Sequence, residues 1–183
     1  GDMVVFQSRV ERPAVAHDIF VIRTDGTGRV RLTDSKAGYT APKWSPDGKR
    51  IVFVRATAPK KYYREMSREE LRQMKSSEEI VVMGRDGSRP TDLTRNSASD
   101  SNPQWSRNGK TIYFMSDRDG SPGVYAMRSD GGDQRKIADG SIVTNPFVSP
   151  DERCIAYTKE IDGKWGLYIF AIKNKKERLL IGN

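Results

Sequence analysis

PKWSPDGKRIVF, residues Pro42 to Phe53, occurs three times along the chain, twice in diverged form. The later copies are PQWSRNGKTIYF from Pro103 and PFVSPDERCIAY from Pro146. A second segment alternates with it, and its copies are DIFVIRTDGTGRVRLT, EIVVMGRDGSRPTDLT, GVYAMRSDGGDQRKIA and the more diverged GLYIFAIKNKKERLL. Regular alternation of this kind is typical of a repeat protein, in which each copy packs against its neighbours.

Each repeat predicts four short antiparallel strands separated by tight turns. Pro-Asp-Gly and Asp-Gly pairs supply the residues that such turns need, because glycine adopts positive φ without strain. Ser106 and Ser149 are 43 positions apart, which fits one propeller blade, whereas Ser45 and Ser106 are 61 apart. The excess predicts an insertion at about 56–77. Within it, Ser67 and Glu70 form a capping-box pattern that predicts a short helix from Arg68 to Lys75.

The second and third strands of each repeat are almost continuously apolar, as in Ile51 to Phe53. An uninterrupted apolar run predicts burial on both faces, which neighbouring blades would provide. We therefore predict one all-β domain over residues 1–183, a β-propeller of about four four-stranded antiparallel blades with a helical insertion. Val4 to Arg9 matches a second strand, so the first blade lacks its inner strand. A closed four-bladed ring, pairing with a second copy and a partial ring all remain open.

The repeat resembles the WD-repeat-like propeller units of the TolB family. The similar residues are Trp44 to Lys49, and Ser116 to Gly120 with the Asp-Gly hairpins that follow. Val148, Glu152 and Lys173-Asn174 depart from the pattern. The resemblance implies a non-catalytic protein-interaction scaffold of the cell envelope, periplasmic or otherwise exported. The alternative is the propeller of a carbohydrate-active lyase or the gating domain of a peptidase.

Composition argues against several other functions. The net charge of +8 comes from basic residues interleaved with acidic ones, so we predict no nucleic-acid binding. The chain has no apolar run long enough for membrane insertion. Its single cysteine and single histidine, Cys154 and His17, predict no catalytic pair, no histidine metal site and no cofactor. Cys154 is expected to pack in the core beside Ile155, and Asp117 to Gly120 to form a turn rather than a calcium loop.

The partner is predicted to be a protein or peptide, with self-association through exposed blade flanks as a further possibility. Loops between strands two and three emerge on the same face as the connections between blades, and loops are where propellers bind ligands. Tyrosine and arginine are enriched at protein interfaces. The predicted partner-binding residues are Tyr39, Tyr62, Tyr63, Arg64 and Arg118.

Overall fold

The computed structural model of the protein describes residues 1–9, 17–34, 37–56, 78–139 and 146–182. These residues form antiparallel sheets that we call blades 1 to 4 in chain order. Blade 1 contains β1 (Met3–Arg9), β2 (His17–Arg23) and β3 (Val30–Arg31), and blade 2 contains β4 (Gly38–Trp44), β5 (Arg50–Ala56), β6 (Glu78–Gly84) and β7 (Thr91–Asp92). Blade 3 contains β8 (Asp100–Trp105), β9 (Thr111–Ser116), β10 (Gly123–Arg128) and β11 (Arg135–Asp139), and blade 4 contains β12 (Phe147–Val148), β13 (Cys154–Ile161), β14 (Lys164–Ala171) and β15 (Lys176–Gly182).

Every blade is a simple meander whose strands pair in chain order. Over the residues that the structure describes, blades 2, 3 and 4 have four strands and blade 1 has three, in agreement with the predicted propeller fold. Among the described residues, β1 pairs with β2 and with no other strand. The innermost strands of blades 2 and 3, β4 and β8, each carry a bulge, which places Pro42 and Pro103 where no ladder hydrogen bond is needed.

The serine of each Pro-x-Trp-Ser segment organises the turn that follows it. Ser45 Oγ donates to Asp47 Oδ1 at 2.6 Å and accepts the Arg50 amide at 2.9 Å. The same two bonds recur at Ser106 with Asn108 and at Ser149 with Asp151. In blade 4, Glu152 takes the glycine position of the turn and adopts a φ of 58°, close to the 66° of Gly48. The turn therefore survives the loss of its glycine.

The core consists of three apolar clusters, each shared by two consecutive blades. Ile19 of blade 1 packs with Phe53 of blade 2, and Val82 of blade 2 packs with Phe114 of blade 3. Val124 of blade 3 packs with Tyr157 of blade 4. Strands β5, β6, β9 and β10 are therefore buried on both faces, as their unbroken apolar sequences predict.

Blade 4 departs from this expectation. Over Cys154 to Tyr157, residues of β13 alternate between half-buried and buried positions, because one face packs on blade 3 and no described blade covers the other. The expectation that Cys154 is a core residue is wrong for the same reason: its side chain is half-buried, while that of Ile155 is fully buried. An apolar run in the sequence indicates that a strand can be buried on both faces. Whether both faces are buried depends on whether a blade packs on each side.

The predicted insertion at about 56–77 lies outside the described residues except for Ala56, which ends β5, and so does the predicted helix from Arg68 to Lys75. In the part of the chain that the structure describes, there is no helix with the length and apolarity to span a membrane.

Candidate partner-binding face

Two opposite ends of the blades differ in the kind of connection they carry. One end carries the turns between first and second strands and between third and fourth strands, and we call it the turn face. The other, which we call the loop face, carries the blade-to-blade connections and the links between second and third strands. On the loop face, β5 ends at Ala56 and β6 begins at Glu78, β9 ends at Ser116 and β10 begins at Gly123. Tyr39 and Arg118, two of the predicted partner-binding residues, adjoin this face.

On the loop face of blade 1, the carboxylate of Asp18 is buried and bonded to the hydroxyl of Thr33. Asp18 is fully buried, and it accepts a hydrogen bond from Thr33 Oγ1 at 2.6 Å and an ion pair from Arg31 at 2.8 Å. Thr33 Oγ1 in turn accepts the amide of Ile19 at 3.0 Å. The network joins the start of β2 to the residues that follow β3.

Blade 2 repeats this network with a glutamate. Thr94 Oγ1 donates to Glu79 Oε2 at 2.8 Å and accepts the Ile80 amide at 2.9 Å. The amide of Asn96 donates to the other carboxylate oxygen of Glu79 at 3.2 Å. Burial raises the pKa of the Glu79 carboxyl above its ordinary value of 4.5, although these hydrogen bonds lower it. The connection to blade 3 is thereby fixed at its first residues.

In blade 3, near the loop face, Arg118 forms an ion pair with the fully buried Asp100. Arg118 Nη2 lies 2.9 Å from Asp100 Oδ1, and Asn96 Nδ2 donates to the second oxygen of Asp100 at 2.7 Å. Arg118 Nε donates to Ser116 Oγ at 2.8 Å and Nη1 to Gln134 Oε1 at 2.6 Å. All three guanidinium nitrogens are engaged, so the side chain joins β8, β9 and the residue that precedes β11.

Aromatic rings complete the surroundings of Arg118. Its guanidinium carbon lies 5.2 Å from the centroid of Phe114 and 4.9 Å from that of Tyr125, within the range of cation–π attraction. The Tyr125 hydroxyl donates to Asp119 at 2.6 Å, and Lys136 Nζ lies 2.9 Å from the same carboxylate. These two contacts hold the pKa of Asp119 below its ordinary value.

Tyr39, the other predicted candidate within the described residues, lies in β4 and is nearly buried. Its ring packs edge-on against Phe53 and its hydroxyl donates to Asp34 at 3.0 Å. Burial, followed by the bond to Asp34, raises the pKa of Tyr39 to about 12. Tyr39 and Arg118 share the loop face but belong to different blades. The structure therefore places both in well-ordered internal networks and does not bring them into one cluster.

Tyr62, Tyr63 and Arg64 lie outside the described residues, so their role stays a prediction. Sequence reasoning missed Asp18 and Glu79, although a signal was present. Both acids stand 15 positions before a threonine, Thr33 or Thr94. In blade 3 the same spacing joins Gly123 to Ala138, and a Cβ on Gly123 would lie 3.0 Å from the Ala138 carbonyl. Blade 3 therefore has glycine in place of the acid and alanine in place of the threonine, so it lacks both members of this network.

The chemistry of this face is that of hydrogen bonding and charge. Within the described ranges, no group of three His, Cys, Asp or Glu side chains is arranged to hold a metal ion. His17 begins β2 and Cys154 begins β13, in blades 1 and 4. The arrangement presents ordered polar groups between blades, of the sort that can recognise a protein surface or a peptide.

Comparison with known proteins agrees with this fold. The TolB beta propeller domain family matches residues 70–182, more than half of the chain. The chain belongs to that family. It is 28% identical over 160 residues to the Tol-Pal system protein TolB of Bordetella pertussis, covering 70% of this chain and 36% of that protein. It is 31% identical over 121 residues to the uncharacterized peptidase YuxL of Bacillus subtilis, covering 65% of this chain and 17% of that protein.

Among solved structures, the putative TolB from Agrobacterium tumefaciens superimposes with a TM-score of 0.76 at 20% identity. The match covers 100% of this chain and 62% of that one. This similarity shows the fold. The chain spans only about a third of the TolB relative and about a sixth of the peptidase relative.

Proposed function

We propose that the chain is a non-catalytic, exported protein-interaction scaffold whose loop face binds another protein or a peptide. Membership of the TolB propeller family carries this proposal. The relative named as a Tol-Pal system protein supports a location in the cell envelope. The binding residues would be Tyr62, Tyr63 and Arg64, while Tyr39 and Arg118, which are engaged in internal contacts, would hold the neighbouring connections in place.

The loop face is suited to this role because its polar groups are held in place before a partner arrives. Asp18, Glu79 and Asp100 each accept at least two hydrogen bonds or ion pairs from residues that adjoin the connections between blades. A connection fixed at its ends loses little further conformational freedom on binding. The segment 57–77, which joins β5 to β6 on this face, supplies two adjacent tyrosines and an arginine, residue types that often dominate interface energies.

The test compares two triple variants with the unaltered chain in recovery of partners from an envelope extract. One carries Tyr62→Ala, Tyr63→Ala and Arg64→Ala on the loop face. The other carries Lys49→Ala, Arg107→Ala and Lys110→Ala, three exposed positions on the turn face. We expect the loop-face variant to lose a specific protein that the turn-face variant still recovers. Calorimetric titration of that purified protein should likewise show weaker binding to the loop-face variant than to the turn-face variant. Equal recovery by all three chains contradicts the choice of face.

A second candidate is the propeller domain of a peptidase, favoured by the identity to YuxL. Under that alternative the polypeptide that contains residues 1–183 would cleave aminoacyl or peptide substrates through a separate hydrolase domain. Residues 1–183 themselves contain no Gly-x-Ser-x-Gly nucleophile motif. Hydrolysis of chromogenic peptide substrates by the full-length polypeptide, but not by residues 1–183, would support the peptidase hypothesis over the hypothesis of a non-catalytic scaffold.

A further inference from the structure

Three asparagines of the described residues lie in turns of the same local kind. In each, the side-chain oxygen Oδ1 accepts the main-chain amide two residues further on, at 2.7 Å for Asn96, 2.9 Å for Asn108 and 3.2 Å for Asn174. All three side chains are exposed. Because the turns are alike, differences in the chemistry of the three carboxamides come from what surrounds them.

Asn108, in the turn between β8 and β9, differs from the other two in its oxygen and in its neighbour. Its Oδ1 accepts a second hydrogen bond, from Ser106 Oγ at 2.9 Å. The next residue is Gly109, which has no Cβ, whereas a serine and a lysine follow the other two asparagines. Asn108 Nδ2 donates to no described residue, unlike that of Asn96, which donates to Asp100 at 2.7 Å. These features favour attack on the Asn108 carboxamide by the next main-chain nitrogen.

Such an attack converts asparagine to aspartate. A base removes the proton of the Gly109 amide, the nitrogen forms a bond to Cγ of Asn108, and negative charge develops on Oδ1. The bond from Cγ to Nδ2 then breaks, ammonia leaves with the proton that the base returns, and a cyclic succinimide remains. Water opens the ring at either carbonyl, to aspartate or to isoaspartate. One water is consumed and one ammonia is released, so no oxidant or reductant is required.

The turn around Asn108 stabilises the charge that this step creates. Two donors, the Ser106 hydroxyl and the Lys110 main-chain amide, each lie 2.9 Å from Oδ1, where the negative charge develops. Donors held at this distance before the reaction stabilise a tetrahedral intermediate, as in an oxyanion hole. The Gly109 amide donates to the Ser106 carbonyl at 3.0 Å, so this bond has to open before the nitrogen attacks.

The aspartate product fits the same turn without rearrangement. Blades 2 and 4 have Asp47 and Asp151 at the equivalent position, and each accepts the turn serine at 2.6 Å and a main-chain amide at 3.1 Å. Asn108 Nδ2 donates to no described residue, so its replacement by oxygen loses no hydrogen bond within them. Isoaspartate, by contrast, adds a methylene to the main chain and does not keep the spacing of the turn.

We propose that Asn108 is a site of spontaneous deamidation in the folded protein, with water as the co-reactant and aspartate as the main product. The conversion gives blade 3 a titrating carboxylate like those of blades 2 and 4. It adds a negative charge to the turn face, so the charge of that face changes with the age of the molecule. The proposal involves neither the loop face nor the partner-binding residues.

The test incubates the folded chain at mildly alkaline pH in ¹⁸O-enriched water and follows the three asparagines by peptide mass spectrometry. Asn96 and Asn174 are controls within the same molecule. We expect Asn108 to take up ¹⁸O at least about tenfold faster than either control, since a single fixed donor to a developing oxyanion contributes about 100-fold in enzymes. Equal rates at the three sites overturn the proposal, and so does an intact Asn108 after the urea-unfolded chain has converted. Isoaspartate as the main product of the folded chain overturns it as well.

Two variants complete the test. Gly109→Glu copies the turn of blade 4, in which Glu152 adopts a φ of 58°, and a Cβ on Gly109 would lie 3.6 Å from Pro46 Cδ, an ordinary contact. The variant should therefore fold, and its Asn108 should convert several-fold more slowly because the new side chain hinders the attacking nitrogen. Asn108→Asp should match the aged, unaltered chain in ion-exchange elution and urea midpoint. An unchanged rate in Gly109→Glu overturns the proposed attack by the residue 109 nitrogen.

Discussion

Blades 3 and 4 are built from the same repeat, but they differ in how many of their faces are covered. Blade 3 packs between blades 2 and 4, so Tyr113 and Phe114, adjacent in β9, are both buried, one on each face. In the described part of the chain, blade 4 shares its apolar cluster with blade 3 alone. Its other face leaves Phe147, Trp165 and Ile181 exposed by 61%, 46% and 68%. The comparison teaches that the repeat encodes a blade, whereas stability comes from the contact between blades.

The largest difference between the two blades is expected when one phenylalanine is removed from the covered faces of blade 3 and one from the open face of blade 4. Phe114→Ala should destabilise the chain by about 3–5 kcal/mol, because the ring is fully buried between blades 2 and 3 and its loss leaves a cavity. Phe147→Ala should change stability by less than about 1 kcal/mol, since most of that ring already contacts solvent. Urea unfolding followed by tryptophan fluorescence measures both. Similar costs at the two sites would show that blade 4 has a covered outer face.

A smaller effect is expected at equivalent positions of the second-to-third-strand turn. Arg118 of blade 3 corresponds in register to Ile161 of blade 4, because Ser116 pairs with Gly123 as Lys159 pairs with Gly166. Arg118→Ala leaves the carboxylate of Asp100 buried, with Asn96 as its remaining side-chain partner among the described residues, and should cost about 2 kcal/mol. Ile161→Ala removes a half-exposed side chain and should cost less than about 0.5 kcal/mol.

The Arg118 result can be separated from a general loss of packing by a double-mutant cycle with Asp100→Asn. If the cost comes from an unpaired buried charge, Arg118→Ala should be less damaging when residue 100 is already neutral. Additive effects of the two changes would instead assign the cost to the rings of Phe114 and Tyr125, over which the guanidinium lies.

The sequence predicted the strands of all four blades because the second and third strands are marked by apolar runs, and the turns beside them fix where the other strands begin and end. It also predicted that Val4 to Arg9 matches a second strand, and these residues lie in β1, which pairs with β2. It did not predict that Cys154 is only half-buried, which depends on what covers blade 4 rather than on the strand itself. Nor could it pair Arg118 with Asp100, 18 positions away on another strand, because a single sequence contains no sign of which charges meet.

The smallest expected effect distinguishes the turns of the three complete blades by their response to acid. In blades 2 and 4 the turn serine donates to a carboxylate, Asp47 or Asp151, and these hydrogen bonds lower the pKa of each below its ordinary value of 3.8. In blade 3 the same bonds go to Asn108, which does not titrate. A carboxyl with a lowered folded pKa stabilises the fold above its unfolded pKa, and this contribution is lost as the pH falls below about 4.

Replacing both carboxylates, with Asp47→Asn and Asp151→Asn, should therefore reduce the drop in the urea midpoint between pH 5 and pH 2.5 without much change at pH 7. The drop should not disappear, because Asp25, Asp86 and Asp130 in the hairpin turns also have lowered pKa values. The reciprocal change, Asn108→Asp, should make the drop steeper, because it gives blade 3 the titrating turn of its neighbours. Parallel midpoint curves for all three chains would mean that the turn carboxylates have the same pKa in the folded and unfolded states, so that their hydrogen bonds to serine contribute nothing to the acid response.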